Sequence, residues 1–365
     1  MATTIVHAAD VHLETVFTGV RGGSARRAAL AGAFERIVDL ALKRNADVLT
    51  IGGDLYESER AGPATARFLF AAFARFGKPI FVAPGNHDPF AARSLYARDD
   101  LPPNVRVFAD ASWSGVPLAA DLTLYGFGHT PAEPGRPFAG ATFERSGARI
   151  ALVHGSDEDR CPPGKKTTAP FTAAEIRASG ATFTLTGHYH GGSTVSDERG
   201  PVFAYPGSPE PIKFGERGEH GALVVNVWDD GSVAVEHVAL ARTRLLDVPV
   251  SLDDAAGEYA VIAACERALA GCGQNDFVRA TLLGTVQSGT RVDRAMLTER
   301  VGGHLGALEI VDRSVAANYA EIAREPNVRG LAVAELLAAA GAGDEDARRA
   351  LALVVAAYDG AEIAP

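Results

Sequence analysis

Residues 3–14 read TTIVHAADVHLE, and this stretch decides how the rest of the chain is interpreted. Its first half is a short apolar strand from Thr3 to Ala8, and two potential metal ligands, Asp10 and His12, follow that strand directly. The same order returns in DVLTIGGD at 47–54 and in IFVAPGNHD at 80–88. Apolar residues at helical spacing separate the three strands, around 34–42 and again at about 64–76. Strands that alternate with helices predict a parallel sheet built from βαβ units.

A second series of strands begins after residue 104 and lacks this regular alternation. One helical stretch, at about 172–179, interrupts it. The predicted strands of the series are 105–108, 122–127, 149–153, 182–186, 202–205, 223–227 and 233–238. Two packed sheets with flanking helices accommodate this many strands, so we expect an α/β fold of that architecture.

The composition changes near residue 243. Residues 1–243 hold 24 basic and 27 acidic side chains and all five lysines, whereas residues 244–365 hold 11 basic and 18 acidic ones. Beyond the boundary, a strand–helix–strand–helix–strand pattern predicts a small α/β domain at 244–314. The last part, 315–365, is predicted to be an irregular linker up to residue 330, followed by two alanine-rich helices.

The overall composition excludes several classes of protein. Hydrophobic residues make up 47% of the chain and charged residues 22%, which is typical of a folded protein. Three cysteines without a CxxC pair argue against a disulfide framework, and no apolar stretch approaches the ~20 residues of a membrane span. The N-terminus lacks the pattern of a signal peptide, so we expect a cytoplasmic protein that does not associate with membranes. The net charge of −10 argues against a free-standing basic nucleic-acid binder.

Five clusters of His, Asp and Asn each follow a predicted strand. They are Asp10-x-His12, Gly53-Asp54, Gly85-Asn86-His87-Asp88, His154-Gly155 and Gly187-His188-Tyr189-His190. Any one of them alone is a weak signal that an ordinary turn also explains, but strand ends are where ligand groups converge in an α/β sheet. Carboxylate, imidazole and amide groups together suit two divalent ions such as Mn²⁺, Fe²⁺ or Zn²⁺, and Asp54 is the natural bridging carboxylate. The absence of cysteine argues against a structural zinc site.

The order of these clusters resembles the calcineurin-like metallophosphoesterases, whose pattern is D-x-H, G-D, G-N-H-D/E, H and G-H-x-H. The resemblance covers roughly residues 4–240. Three further stretches, IVHAADVHL at 5–13, GDLY at 53–56 and YPGSP at 205–209, together with Phe214-Gly215-Glu216, are similar to the SbcD-like branch of DNA-repair exonucleases. The resemblance implies a four-layer α/β/β/α sandwich, followed by a small α/β capping domain and a helical C-terminal tail.

The resemblance also implies a role for each residue of the site. It assigns Asp10, His12, Asp54 and His190 to one ion, and Asp54, Asn86, His154 and His188 to the other. In this scheme His87 donates a proton to the leaving oxygen, and Asp88 orients His87 and raises its basicity. Mn²⁺ is the expected metal, with Fe²⁺ and Zn²⁺ as alternatives, and a hydroxide that bridges the two ions attacks phosphorus in line.

The function implied by the resemblance is a nuclease subunit of a DNA-repair complex, an enzyme that hydrolyses DNA phosphodiesters. The implied partners are DNA, an SMC-like coiled-coil ATPase that the C-terminal helices bind, and a second copy of the chain through the catalytic domain. A small-molecule phosphodiesterase or phosphatase with the same metals is the alternative. A scaffold without catalysis, which keeps the metals only for folding, is a third possibility that the retained His87 disfavours.

Several other residues admit a structural or a functional interpretation. Arg160, Lys165 and Lys166 follow the His154 cluster and are candidate contacts for a nucleic-acid backbone, although basic clusters are commonly just solvated. His7 lies within the first strand, so we expect it to pack in the core. Glu14 stands where the SbcD-like motif more often has glycine, and we favour a structural role for it.

Overall fold

A computed structural model of the chain describes residues 2–17, 23–143, 146–161, 167–216, 218–253, 255, 257–287, 292–317, 319–341 and 344–358. The chain forms two compact units, Met1–Leu245 and Leu246–Pro365. All of the predicted metal-site residues belong to the first unit.

The first unit contains two six-stranded sheets and three α-helices among its described residues. In chain order the elements are β1 (Ala2–Ala8), α1 (Gly23–Lys43), β2 (Val48–Ile51), α2 (Pro63–Phe76), β3 (Ile80–Val82), β4 (Val105–Val107), β5 (Ser114–Ala119), β6 (Leu122–Phe127), β7 (Ala148–His154), α3 (Ala173–Ser179), β8 (Phe183–Gly187), β9 (Ser193–Asp197), β10 (Gly200–Tyr205), β11 (Gly221–Trp228) and β12 (Val233–Ala239). The first sheet has the order β12-β11-β1-β2-β3-β4, and its strands β1 to β4 are parallel. The second has the order β5-β6-β7-β8-β10-β9, and β6, β7, β8 and β10 are parallel.

The alternation of side chains along β1 explains how the layers form. Val6 and Ala8 pack with the helices α1 and α2, whereas Ile5 packs in a second cluster with residues of the other sheet such as Leu152 and Leu185. A third cluster covers the opposite face of the second sheet and includes Ile176 of α3. The prediction of an α/β fold with two packed sheets flanked by helices is therefore confirmed.

Two strands of the second sheet, β5 and β9, have no counterpart in the sequence prediction. Both lie at the edges of that sheet, and most of their residues are exposed or only partly buried. Edge strands of this kind lack the apolar run that marks a buried strand. β5 also carries Pro117, which cannot donate a ladder hydrogen bond and is tolerated at an edge.

The second unit begins along β13 (Arg244–Ser251) and has its own apolar core. Its further elements are α4 (Glu258–Leu269), β14 (Asp276–Leu283), β15 (Thr285–Gln287), α5 (Arg294–Val301), β16 (Ala307–Asp312), β17 (Val315–Ala317), α6 (Tyr319–Ile322), α7 (Val328–Gly341) and α8 (Glu345–Tyr358). β13, β14 and β16 form one sheet, and β15 pairs with β17.

Two sequence predictions for the second unit are wrong. The single strand predicted at 277–286 is interrupted at Gly284, whose φ of 91° is in the left-handed region that favours glycine. The stretch predicted to be irregular, 315–330, contains β17, α6 and the start of α7. β17 has only three residues and gains its partner from β15, so the local pattern of the sequence carries little sign of it.

A buried carboxylate, Glu210, connects α1 to the segment that follows β12. It accepts a hydrogen bond from Arg36 Nη2 at 2.5 Å and from the backbone N–H groups of Arg242 at 2.9 Å and Thr243 at 3.1 Å. The Glu210 side chain is fully buried, so its charge depends on these partners for compensation.

We predict that Glu210→Gln lowers the free energy of unfolding by about 2–3 kcal/mol, because the amide removes the charge that balances Arg36. The matched control is Glu236→Gln, since Glu236 pairs with Arg44 at the same 2.5 Å distance but in a half-exposed position. The control loses less than about 1 kcal/mol. Urea unfolding of the two variants measures the difference, and equal losses would contradict the role given to Glu210.

Candidate metal centre

The carboxyl ends of parallel strands from both sheets meet at one place in the first unit. Asp10 follows β1, Asp54 follows β2 and Asn86 follows β3, whereas His154 ends β7 and His188 follows β8. The His188 backbone N–H donates to both carboxylate oxygens of Asp10, at 3.1 and 3.0 Å. This contact joins the loop after β1 to the loop after β8, so the sequence clusters that are far apart in the chain lie together.

Two groups of three potential ligands form within this region. The ligand atoms of Asp10, His12 and His190 all lie within 4.8 Å of one another, and those of Asp54, His154 and His188 do the same. Each trio belongs to one of the two ligand sets that the sequence predicts.

Asp54, a member of the second trio, also lies next to the first. Its Oδ2 atom is 3.6 Å from His12 Nε2 and 3.3 Å from His154 Nε2. Asn86 completes the second group, because its Oδ1 atom is 3.1 Å from His154 Nε2. The positions are consistent with a carboxylate that bridges two ions, and the assignment of ligands remains a prediction.

The donor set fits divalent metal ions on two observations. The His12 Nε2 atom is buried and has no hydrogen-bond partner among the described residues, although it faces Asp54. A buried polar atom without a partner is costly, and coordination to a cation removes that cost. The six atoms of the two trios are carboxylate oxygens and imidazole nitrogens, which suit Mn²⁺, Fe²⁺ and Zn²⁺.

The carboxylates and imidazoles of the site alter one another's pKa values. Burial opposes ionisation of Asp54, but the imidazoles of His154 and His12 lower its pKa well below the usual range. Burial likewise disfavours the charged form of His154, yet the neighbouring Asp54 carboxylate raises the pKa of His154 to about 9. Asp54 is therefore held as a carboxylate although it is almost completely buried.

Backbone strain accompanies these positions. Asp10, His12 and Asp54 have φ values of 54°, 50° and 52°, all in the left-handed region that non-glycine residues seldom adopt. Such strain persists only where surrounding contacts impose it, and it concentrates at functional sites. The contacts here are backbone hydrogen bonds from Asp10 N to Gly53 O at 3.0 Å and from His12 N to Asp54 O at 2.9 Å.

A third cluster contains a residue that sequence reasoning missed, Glu57. Its two carboxylate oxygens contact His12 Nδ1 at 2.8 Å and His87 Nδ1 at 2.9 Å. The hydrogen bond to Glu57 raises the pKa of His87, and burial opposes that effect. The His87 side chain remains 43% exposed, so it lies at the surface of the site. Glu57 follows Asp54 by three residues, and only that spacing could have pointed to it.

The prediction that Asp88 orients His87 is wrong. The Asp88 carboxylate is fully buried and accepts hydrogen bonds from the backbone N–H groups of Asp54 at 3.0 Å and Gly85 at 2.7 Å. It also accepts one from the Tyr96 hydroxyl at 2.6 Å. Asp88 therefore braces the loops after β2 and β3 from inside, while Glu57 supplies the carboxylate beside His87.

A second glutamate, Glu216, supports His190 in the same manner. Its Oε1 atom is 2.5 Å from His190 Nδ1, and its Oε2 atom accepts a hydrogen bond from the Ile212 N–H at 2.7 Å. A carboxylate on the far nitrogen fixes the orientation of an imidazole and raises its basicity as a ligand. His12 and His190, both in the first trio, are thus each held by a glutamate.

The remaining predicted residues are less closely connected to the site. Arg160 is half exposed and lies 3.5 Å from Asp157, whereas Lys165 and Lys166 lie outside the described residues. His7 is buried between Thr50 Oγ1 and Thr186 O, at 2.9 Å from each, as expected of a core histidine. Glu14 adopts a φ of 68° and accepts a hydrogen bond from Thr65 Oγ1 of α2, which supports its structural interpretation.

Comparison with known proteins identifies the class. The profile of the calcineurin-like phosphoesterases matches residues 3–192, more than half of the chain. The chain therefore belongs to the calcineurin-like phosphoesterase family, a family of dimetal hydrolases that act on phosphoesters. None of the described helices has the length and apolar character needed to cross a bilayer.

Two curated relatives and one solved structure illustrate the similarity. The chain is 25% identical over 275 residues to the uncharacterized metallophosphoesterase YhaO of Bacillus subtilis, covering 67% of this chain and 63% of that protein. It is 27% identical over 278 residues to the DNA double-strand break repair protein Mre11 of Methanopyrus kandleri, covering 67% and 58%. The chain thus spans less than two thirds of the length of these relatives. A dimetal phosphatase from Danio rerio superimposes with a TM-score of 0.42 at 11% identity, covering 65% of this chain and 97% of that one.

The close approach of Gly85 to Asp54 generates a prediction. A Cβ atom at Gly85 would lie 2.3 Å from Asp54 Oδ1, so Gly85→Ala must displace this carboxylate. We expect Gly85→Ala to lower metal affinity by more than about tenfold, as measured by the metal content of dialysed protein. Gly62→Ala is the control, because a Cβ there meets nothing within 4 Å. Full metal content in Gly85→Ala would show that Asp54 does not bind the metal.

The contact between Glu216 and His190 generates a second prediction about metal binding. Glu216→Gln removes the carboxylate from His190 Nδ1, and we expect one of the two metal sites to weaken by about 10- to 100-fold while the other is retained. Calorimetric titration with Mn²⁺ resolves the two binding steps. Glu219→Gln, an exposed substitution three residues further on, leaves both steps unchanged. An unaltered titration of Glu216→Gln contradicts the assignment of His190 as a ligand.

Proposed function

We propose that this protein is a dimetal-dependent phosphodiesterase that cleaves DNA, the nuclease subunit of a DNA-repair complex. The observation that carries the proposal is the arrangement of two trios of potential ligands, mostly buried, that approach each other at Asp54, with the exposed His87 ring beside them. The ring centroids of His12 and His87 are 4.7 Å apart, so a phosphate near the first trio is within reach of His87.

The chain's own residues supply proton transfer and positioning. Divalent ions held by the two trios would supply a water activated for attack and would neutralise the charge that develops on the phosphoryl group. His87 donates its Nε2 proton to the leaving oxygen, since Glu57 holds Nδ1 and leaves Nε2 directed away from that carboxylate. The oxygen of a water molecule that gives up one proton to solvent forms a bond to phosphorus, and the P–O bond to the leaving group breaks. The leaving oxygen takes the proton of His87, which solvent then restores. Poor alkoxide leaving groups, such as those of DNA, need this proton.

DNA as the substrate is supported by relatives and by the distribution of charge. Archaeal proteins named as DNA double-strand break repair protein Mre11, from Methanopyrus kandleri and Aeropyrum pernix, are each 27% identical to this chain over 278 residues. Residues 1–243 carry a net charge of only −3 of the total −10. Two divalent ions would add four positive charges at the site and offset its carboxylates, which favours the approach of a phosphate backbone.

Partners of the second unit belong to the same proposal. Val328 and Leu331 lie one turn apart on α7 and are 70% and 67% exposed, so α7 presents an apolar surface that suits a coiled-coil partner. We propose that residues 315–365 bind an SMC-like ATPase, that residues 244–314 act as a cap over the substrate, and that two copies of the chain pair through the catalytic domain.

The test of the proposed function is DNA cleavage with a defined variant. Purified protein with Mn²⁺ should degrade labelled linear DNA, and His87→Ala should lower the cleavage rate by about 10²- to 10⁴-fold while two metal ions remain bound. An aryl phosphodiester serves as the comparison substrate. Intact DNA together with rapid turnover of the aryl ester would favour a small-molecule phosphodiesterase instead. Loss of the metals from His87→Ala would overturn its assignment as general acid.

A further inference from the structure

A small cavity lies between the loops that follow β2 and β3. Its volume is about 140 Å³, and its walls include the side chains of Tyr56 and Leu95, together with Pro89. This volume is well below the roughly 300–1,000 Å³ of pockets for drug-sized ligands. The cavity therefore has room for one flat group of one or two fused rings and excludes a drug-sized ligand.

The cavity adjoins the residues that hold His87. Ser58 lines it, and the Ser58 N–H donates to the carbonyl oxygen of His87 at 3.0 Å. Tyr56 directly precedes Glu57, whose carboxylate contacts His87 Nδ1. Both loops leave the same edge of the first sheet as the metal-site residues, so the cavity and the metal centre share that edge.

The polar groups of the cavity point to a ligand. Ser94 is only 8% exposed, and its hydroxyl lies beside Tyr56 without a hydrogen-bond partner of normal geometry among the described residues. The Arg93 guanidinium is exposed and forms no ion pair within the part of the chain that the structure describes. A hydroxyl and a guanidinium are hydrogen-bond donors, and the edge of a nucleobase offers carbonyl oxygen and ring nitrogen acceptors.

We propose that this cavity is the leaving-group subsite, which takes the base of the nucleoside that is released when the phosphodiester is cut. The proposal rests on the proposed function. Because His87 gives its proton to the leaving oxygen, the leaving nucleoside must lie on the His87 side of phosphorus. The cavity lies beside the loop that carries His87 and offers space for a base, with Ser94 and Arg93 available to the edge of the base and Tyr56, Pro89 and Leu95 to its faces.

The experiment compares dinucleotides in Mn²⁺. One dinucleotide has both bases, and each of two others lacks one of them. The leaving nucleoside is identified as the product released without phosphate, and it is abasic in one of these two substrates. Compared with the dinucleotide that has both bases, the substrate with an abasic leaving side should be cleaved by the wild type with a kcat/KM at least about tenfold lower. Loss of the other base should have a smaller effect. Ala91→Leu, which places a larger side chain in the cavity, should abolish this discrimination. Ala92→Leu, an exposed neighbour that does not line the cavity, should retain it.

A binding measurement provides a readout without turnover. The affinity for an uncleavable dinucleotide, in which a methylphosphonate replaces the phosphate, should fall by about tenfold in Ala91→Leu and stay unchanged in Ala92→Leu. Equal cleavage of the two abasic substrates by the wild type, or equal effects of the two leucine substitutions, would overturn the subsite while leaving the proposed function intact. If the wild type cleaves neither a dinucleotide nor linear DNA, the proposed function fails and the binding measurement alone decides on the cavity.

Discussion

The carboxylate of Asp54 is the point on which the rest of the site depends. Its Oδ2 atom lies between His12 and His154, and its Oδ1 atom accepts the backbone N–H of His87 at 2.8 Å. Its own N–H donates to Asp88. A single buried carboxylate thus connects the loops after β1, β2 and β3 with the end of β7, and a displacement of Asp54 would disturb both ligand trios and the backbone of His87 together.

A buried charge of this kind is stable only when its partners are held in place. Further carboxylates outside the trios hold these partners in place: Glu57 contacts His12 and His87, and Glu216 contacts His190. Each contact directs the opposite imidazole nitrogen toward the centre, as expected for a site in which outer residues orient the ligands. The same support extends beyond the metal centre, because Glu57 joins a candidate ligand to the candidate acid and lies between two residues that line the leaving-group cavity.

The parts of the fold that were predictable have a local signature. β1, β2 and β3 are buried apolar runs followed by glycine or by polar ligands, and α2 begins with Pro63 and ends before Gly77. The edge strands β5 and β9 have no such signature, because their stability comes from pairing with a neighbour. Glu57 was missed for a similar reason, since a glutamate in a loop acquires its role only from the side chains that the fold brings to it.

The sequence by itself determined the types of the candidate ligands, their order along the chain and their position after successive strands, because these depend on short segments whose chemistry can be read directly. The tertiary structure alone decided which donors meet. It placed Asp54 between two histidines from distant segments, gave the contact beside His87 to Glu57, and turned Asp88 inward to bind backbone N–H groups. The physical reason is that adjacent residues in a tight loop point in different directions. The packing of the two sheets then determines which side chains these residues contact, and the local sequence does not predict those contacts.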